Sequence, residues 1–290
     1  VTDAGPLLEP DLLSELARLQ LRLGRPLVGA ITGDHRSVRR GASLDFADYR
    51  EYRPGDDLRR VDQHHLARSD DVFLKQFDAE EDLTLRLLLD ASASMAFGAK
   101  LDMGCRLAAA LGYLALAHRD AVTLSVFPSD DRPRRFVGRE AVPPLFDALQ
   151  RVEASGETGF ARAVNRRLAE RGPRGAVVVI SDLLTPEWEA ALPRLRGAGT
   201  DVTLVHLLAH DDLHPQSVGD LELVDAETGG HLPVSLDPRR IERFELAAAD
   251  WVRRVEDRCG WADIRYLRVM SDEEPRQVLL RSWRRAGWLL

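Results

Sequence analysis

Leu83-Thr84-Leu85-Arg86-Leu87-Leu88-Leu89-Asp90-Ala91-Ser92-Ala93-Ser94 is the stretch on which the fold turns. A near-continuous apolar run of strand length, ending on an acid and two serines, reads as a strand buried on both faces, as in parallel sheets. Working outward, helical and strand patterns alternate. Leu101 to His118 reads as a long helix, Ala121 to Phe127 as a strand, and Val142 to Val152 as a helix broken early by Pro143 and Pro144. A helix over Phe160 to Glu170, a strand over Ala176 to Ile180, a helix over Pro186 to Leu195 and a strand over Val202 to Leu208 follow. Short connections between alternating elements imply right-handed crossovers. The expected fold class is therefore α/β: a doubly wound, mostly parallel sheet over residues 83–210, about 130 residues and a normal domain size.

The flanks read differently. Residues 1–82 open with leucines Leu12, Leu13, Leu16, Leu19 and Leu23 at helical spacing, which predicts a helix over Asp11 to Leu23. Thr32 to Glu81 is rich in Asp, Arg and Gly with scattered aromatics, which predicts irregular structure and short strands. Residues 211–290 are expected to pack on the central domain. There Leu221 to Leu236 gives two alternating runs around Thr228, Gly229 and Gly230, the mark of a β-hairpin. A helix over Pro238 to Arg258, a strand over Ile264 to Val269 that extends the central sheet, and a helix toward Trp283 complete the chain. Trp251, Trp261 and Trp283 are expected to fill core.

Composition narrows the function classes. Among 290 residues, 40 basic against 47 acidic side chains give a net charge of −7, which does not supply the positive field that attracts nucleic acid. No apolar run approaches the roughly twenty residues of a membrane span. The amino-terminal VTDAGPLLEPDLL carries neither a basic start nor a long apolar region, so a cytoplasmic location is expected. Cys105 and Cys259 make no zinc cluster and no disulfide framework, and read as free, packed thiols.

In an open α/β sheet, ligands gather at the carboxyl ends of the strands. Three loops at that edge offer oxygen: Asp90-Ala91-Ser92-Ala93-Ser94, Thr158 within Ser155–Gly159, and Asp182 after the strand ending at Ile180. Two carboxylates and three hydroxyls suit a hard divalent cation, magnesium first, with manganese or calcium as alternatives. Alternate side chains leaving a strand point the same way, which explains the Asp-x-Ser-x-Ser spacing. Neutral hydroxyls leave the ion electron-poor, so such a site favours binding a partner's Asp or Glu over hydrolysing a substrate. The competing reading is that Ser92 or Ser94 caps a helix; Asp182 would be another cap, although Thr185-Pro186 offers a better one.

Asp90, Ser92, Ser94, Thr158 and Asp182 together resemble the metal-ion-dependent adhesion site of von Willebrand factor A domains. The resemblance implies that the two serines and the threonine coordinate the ion, that the aspartates act directly or through water, and that an open position takes a partner's carboxylate. A narrower resemblance lies upstream. Asp45 to Asp62, Ala67-Arg68-Ser69 and Phe77 to Glu81 resemble the signature of the bacterial family known as domain of unknown function fifty-eight. The likeness runs from about Gly41 to Asp182, the acidic hairpin at Val224-Asp225 also fits, and Gln63 departs from the family's usual aromatic residue. This family pairs its signature with an A-type domain and is associated with MoxR-type AAA+ ATPases. The resemblance therefore implies an adaptor or chaperone-like partner of such an ATPase, or a binder of an acidic client.

No enzyme motif competes well. A magnesium phosphatase built on Asp-x-Asp would need an acid where Ser92 stands, together with a lysine for which no obvious candidate offers itself. Neither a Gly-x-Ser-x-Gly elbow nor a phosphate-binding loop is present. The alternatives to an interaction module are a magnesium-dependent phosphoester hydrolase, or a structural A-type domain that no longer binds metal.

Overall fold

The decisive apolar run forms strand β3, Thr84–Asp90, with every residue buried. Its alternate side chains feed two cores: Leu85, Leu87 and Leu89 enter one, and Leu88 the other. The computed structural model describes residues 6–19, 46–51, 73–77, 84–129, 132–170, 175–198 and 201–285. The chain divides into two units, Val1–Pro26 with Asp82–Leu290, and Leu27–Glu81.

In the first unit, β3 lies at the centre of a six-stranded sheet. It is flanked by parallel β4, Ala121–Phe127, and parallel β6, Gly175–Ser181. The edge beyond β4 is β5, Arg134–Phe136, antiparallel to it. On the other side β7, Asp201–Leu208, and β10, Arg265–Met270, continue in parallel. The strand order is β10-β7-β6-β3-β4-β5. The chain starts at the middle, winds outward through β4 and β5, then crosses to β6 and winds the other way. That is the doubly wound order whose switch point lies between the first strand and the fourth, here β3 and β6.

Helices cover both faces. Helices over Lys100–Ala117 and Val142–Gln150 pack on the first core through residues such as Leu107, Leu111, Leu145 and Leu149. Close approach between them needs Gly112, because a Cβ there would stand 2.3 Å from Leu145 Cδ2. The helices over Phe160–Ala169, Trp188–Ala191 and Pro238–Trp261 cover the second core with Phe160, Val164, Trp188, Val255 and Cys259. After β7, the hairpin β8, Gly219–Val224, and β9, His231–Leu236, forms its own two-stranded sheet.

Several expectations need correction. Pro143 and Pro144 occupy the first turn of the Val142–Gln150 helix and begin it, where a missing N–H costs nothing. The helix expected over Pro186 to Leu195 is one α-turn, Trp188–Ala191, continuing as a 3-10 segment over Leu192–Ala198. Edge strand β5 escaped notice because three residues with two arginines carry no period. Trp283 is fully buried and Trp251 packs partly buried on the second core, but Trp261 is 78% exposed, its ring under Arg258 instead of in a core. The first helix covers Pro10–Leu16, and Leu23 lies outside the described residues. The expected final strand does extend the central sheet, as β10, and Cys105 and Cys259 are free and buried.

In the second unit, β1, Phe46–Glu51, pairs antiparallel with β2, Phe73–Phe77, so short strands do occur there. Most of the signature from Tyr52 to Arg68, Gln63 included, lies outside the described residues. Among the described residues no helix is long and apolar enough to cross a membrane.

Candidate metal centre

β3 ends in Asp90 and β6 ends in Ser181, so the two strands at the switch point deliver Asp90 and Asp182 to the same rim. Backbone pairing brings the third loop in: Ser155 N–H donates to Ala91 O at 2.8 Å, and Ala93 N–H donates to Gly156 O at 2.9 Å. Thr158 is thereby carried on a loop stitched to the one holding Ser92 and Ser94. Asp90, Ser92, Asp182 and Thr158 are all buried.

Asp90 is gripped on both oxygens. Ser92 N–H donates to Oδ1 at 2.9 Å and Ser181 Oγ donates to Oδ2 at 2.5 Å. Ser92 and Ser94 hydroxyls stand 3.1 Å apart. Ser92 precedes a 3-10 segment, Ala93–Ala99, yet its side chain makes no capping bond, so the capping reading does not account for it. Asp182 Oδ1 accepts from Leu184 N–H at 3.1 Å, closing a turn in which Leu183 adopts φ +53°. A buried leucine in the left-handed region is strained, and such strain concentrates where a site demands it. Thr185 is not the cap expected of it: the following helix starts after Glu187 with no side-chain cap.

Sequence inspection missed Lys100. Its fully buried ammonium donates to Asp182 Oδ2 at 2.8 Å and to Asp212 Oδ2 at 3.0 Å, and Asp212 Oδ2 also accepts from Ala209 N–H at 2.8 Å. The signal was its type: Lys100 is one of two lysines among 40 basic residues, a scarcity that reads as compositional bias until the position is known. A compact ammonium reaches two carboxylates where the planar guanidinium fork would not fit as well. Its presence also removes one of the two grounds against a phosphoester hydrolase, although Ser92 still stands where the second acid would be needed.

His206 was also missed. Its Nε2 lies 3.1 Å from Asp182 O, a carbonyl that only accepts, so Nε2 carries the proton and Nδ1 accepts from Tyr266 OH at 2.9 Å. Complete burial pushes the imidazole down to about 4, and burial raises the Tyr266 phenol. A neutral His206, set edge-on to Trp251 at 4.9 Å, thus props the backbone of Asp182.

Asp90 carries an electrostatic penalty in its charged form. Burial, and next the charge of Asp182, push the Asp90 carboxyl up to about 7, against the opposing bonds from Ser181 and Ser92. Lys100 bonds Asp182 and Asp212, not Asp90. Among the described residues no group of three or more His, Cys, Asp or Glu side chains is disposed to hold an ion, so binding here would draw on the hydroxyls. Their spacing fits, since neighbouring ligands of an octahedral magnesium at about 2.1 Å lie about 3.0 Å apart, close to the Ser92–Ser94 separation of 3.1 Å. The set suits Asp90, Ser92, Ser94 and Thr158 as ligands, with Asp182, already held by Lys100 and Leu184, acting through water. The last donor is engaged from outside the three loops: Thr158 N–H and Oγ1 both donate to the carboxylate of Glu227, on the turn between β8 and β9.

The chain matches the family model described as "Protein of unknown function DUF58" over residues 48–254. Uncharacterised proteins of Mycobacterium tuberculosis and Mycobacterium bovis are 31% identical to it over 259 residues, covering 84% of this chain and 80% of theirs. Among solved structures it is similar to BatB from Bacteroides thetaiotaomicron, at 14% identity and a TM-score of 0.43 over 71% of this chain and 98% of that one. An aerotolerance-related membrane protein from Bacteroides fragilis matches at 16% identity and a TM-score of 0.41, covering 68% and 94%. The VWA domain of SpRpn10 matches at 11% and 0.38, covering 69% and 94%. With the family model spanning most of its length and relatives above 30% identity aligned along most of theirs, the chain belongs to the DUF58 family.

Proposed function

We propose that this chain is a non-enzymatic, metal-dependent protein-interaction module, in which a divalent ion held at Asp90, Ser92, Ser94, Thr158 and Asp182 binds an acidic residue of a partner. The observation that carries the reading is the meeting of Asp90, both serines and Asp182 at the switch point, with Lys100 bonded to Asp182 and Asp212 and not to Asp90. Magnesium is the ion, and a predominantly hydroxyl shell leaves it able to take a further carboxylate. The partner is a MoxR-type AAA+ ATPase or an acidic client, as the family resemblance implies, and a cytoplasmic location belongs to the same proposal. The test is calorimetric titration of chelator-treated protein with magnesium, manganese and calcium, followed by pull-down on the ATPase. Saturable heat and capture, both lost in Ser92→Ala, support the reading. Capture that is indifferent to Ser92→Ala and to chelator refutes it.

One observation favours a second reading. Lys100 supplies the buried cation that a magnesium-dependent phosphoester hydrolase requires beside its carboxylates. Magnesium-dependent turnover of a phosphomonoester, abolished in Asp90→Ala, would establish that reading in place of the first.

A further inference from the structure

The turn between β8 and β9 is built to present one side chain. Asp225 Oδ1 accepts from Glu227 N–H at 2.8 Å and from Thr228 N–H at 3.1 Å, Gly229 N–H donates to Asp225 O at 2.9 Å, and Gly229 takes φ +69°. This folds the tip tightly and turns Glu227 out of it. Across residues 222–230 every residue is exposed except Glu227, which is partly buried. What it meets is Thr158, whose N–H and hydroxyl hold both oxygens of the one carboxylate.

Burial does not explain why the hairpin sits there. Most residues of β8 and β9 are exposed on both faces, including Leu223, Val224 and Leu232, and an isolated two-stranded hairpin is marginal in water. Its tip is held at the rim by a charged group bonded to a residue of the candidate metal centre. The candidate centre already holds Asp90 and Asp182, of which Lys100 bonds Asp182, and Glu227 brings a third carboxylate onto one of its residues. Placing a third acid there makes physical sense when a cation joins the set. A carboxylate has about four lone-pair sites, so Glu227 can keep both bonds to Thr158 and still offer an oxygen to an ion.

From this geometry we infer that Glu227 is the chain's own acidic ligand: it occupies the position of the metal centre that a partner's carboxylate would take, and a partner gains the ion by displacing the hairpin tip. The inference rests on the metal-dependent reading above and deepens it. It makes the β8–β9 hairpin a tethered competitor whose local concentration an external acid must overcome.

The test uses the full chain, stripped of metal, with manganese as the probe. Wild type, Glu227→Gln and Glu227→Ala are titrated calorimetrically, alone and in the presence of sodium acetate or acetamide. Hydrogen exchange of residues 219–236 is followed with and without manganese. Losing the carboxylate charge in Glu227→Gln, or the whole carboxylate in Glu227→Ala, weakens manganese binding by about tenfold or more. Acetate restores it in Glu227→Ala, where the space is open, and does nothing in wild type; acetamide restores neither. Manganese slows exchange across the hairpin in wild type only. Equal manganese affinity in all three proteins, with no acetate effect and a hairpin indifferent to the ion, overturns the inference while leaving the metal centre standing. Absence of manganese binding in wild type overturns the metal-dependent reading itself, and this inference with it.

Discussion

Replacing Lys100 with methionine tests the electrostatic frame of the site directly. The ammonium is fully buried, and the side chains of its partners Asp182 and Asp212 are 0% and 9% exposed. Methionine fills nearly the same volume, so the change isolates the charge. Removing one member of a buried ion pair costs about 3–5 kcal/mol, because the remaining charge is left uncompensated. Leu184 N–H still serves Asp182, and Ala209 N–H still serves Asp212, which places the loss near the lower end, about 3 kcal/mol. With a urea m-value of about 3 kcal/mol/M the midpoint falls by about 1 M. The assay is urea unfolding in chelator, for wild type, Lys100→Met, Asp182→Asn and the double variant. Neutralising Asp182 in the Lys100→Met background should recover much of the loss, giving a coupling energy of about 2 kcal/mol. A single-variant loss under about 1 kcal/mol, or additive single effects, would refute the claim that Lys100 holds Asp182 in place.

Other consequences follow from the same geometry. Asp90 is raised in the folded state from 3.8 to about 7, so the folded chain holds its proton more tightly, and the associated stability is present below about pH 4 and lost as pH rises through 7. Asp90→Asn, which keeps an acceptor for Ser92 N–H and a partner for Ser181, should therefore stabilise metal-free protein at pH 8 by up to about 4 kcal/mol and hardly at all at pH 4, as read from thermal melts; equal effects at both values would contradict this. His206 runs the other way. Its folded value of about 4 lies below the ordinary 6.5, the unfolded chain binds the extra proton, and stability falls by up to about 3 kcal/mol as pH drops from 6.5 through 4. His206→Gln, able to donate to Asp182 O, should flatten that acid limb in a denaturation series. The tryptophans give a packing control: Trp283→Ala costs about 3–5 kcal/mol, whereas Trp261→Ala stays within about 0.5 kcal/mol, because one ring is fully buried and the other 78% exposed.

The sheet was legible because buried parallel strands advertise themselves as unbroken apolar runs. β3, β4, β6 and β7 lie within a residue or two of where the run of Leu, Val and Ile places them. Helix ends were less legible: after Leu183, at φ +53°, the segment beyond β6 splits into an α-turn and a 3-10 segment, which helical spacing alone does not distinguish. The oxygen-bearing residues at the rim were visible from type and spacing, since the carboxyl ends of parallel strands share one edge of the sheet. What surrounds them was not. Lys100 comes from the start of a helix, Asp212 from the single helical turn His210–Leu213 after β7, His206 from within β7 and Glu227 from a hairpin turn. Each reaches the site through tertiary packing, for which local pattern has no signature. Trp261 failed for a related reason: a large apolar residue on a helix is buried only if its face is, and the last turn of the Pro238–Trp261 helix buries Cys259 while Trp261 lies on its exposed side.

These unheralded residues change what binding at the rim means. Asp182 is already satisfied by an internal cation, and Thr158 by an internal carboxylate. Asp90 has its bonds from Ser92 and Ser181, and burial, then the charge of Asp182, raises its proton affinity. A ligand arriving here enters a set of groups in use. Its affinity is the difference between the contacts it makes and those it displaces, as for any exchange of buried polar partners. Under the metal-dependent proposal, a divalent ion would gain most beside Asp90, where it would offset an electrostatic cost and break no ion pair. An external acid gains least, because the Glu227 carboxylate is already bonded to Thr158. Selectivity at such a rim therefore resides in the residues that occupy it internally as much as in the five that line it.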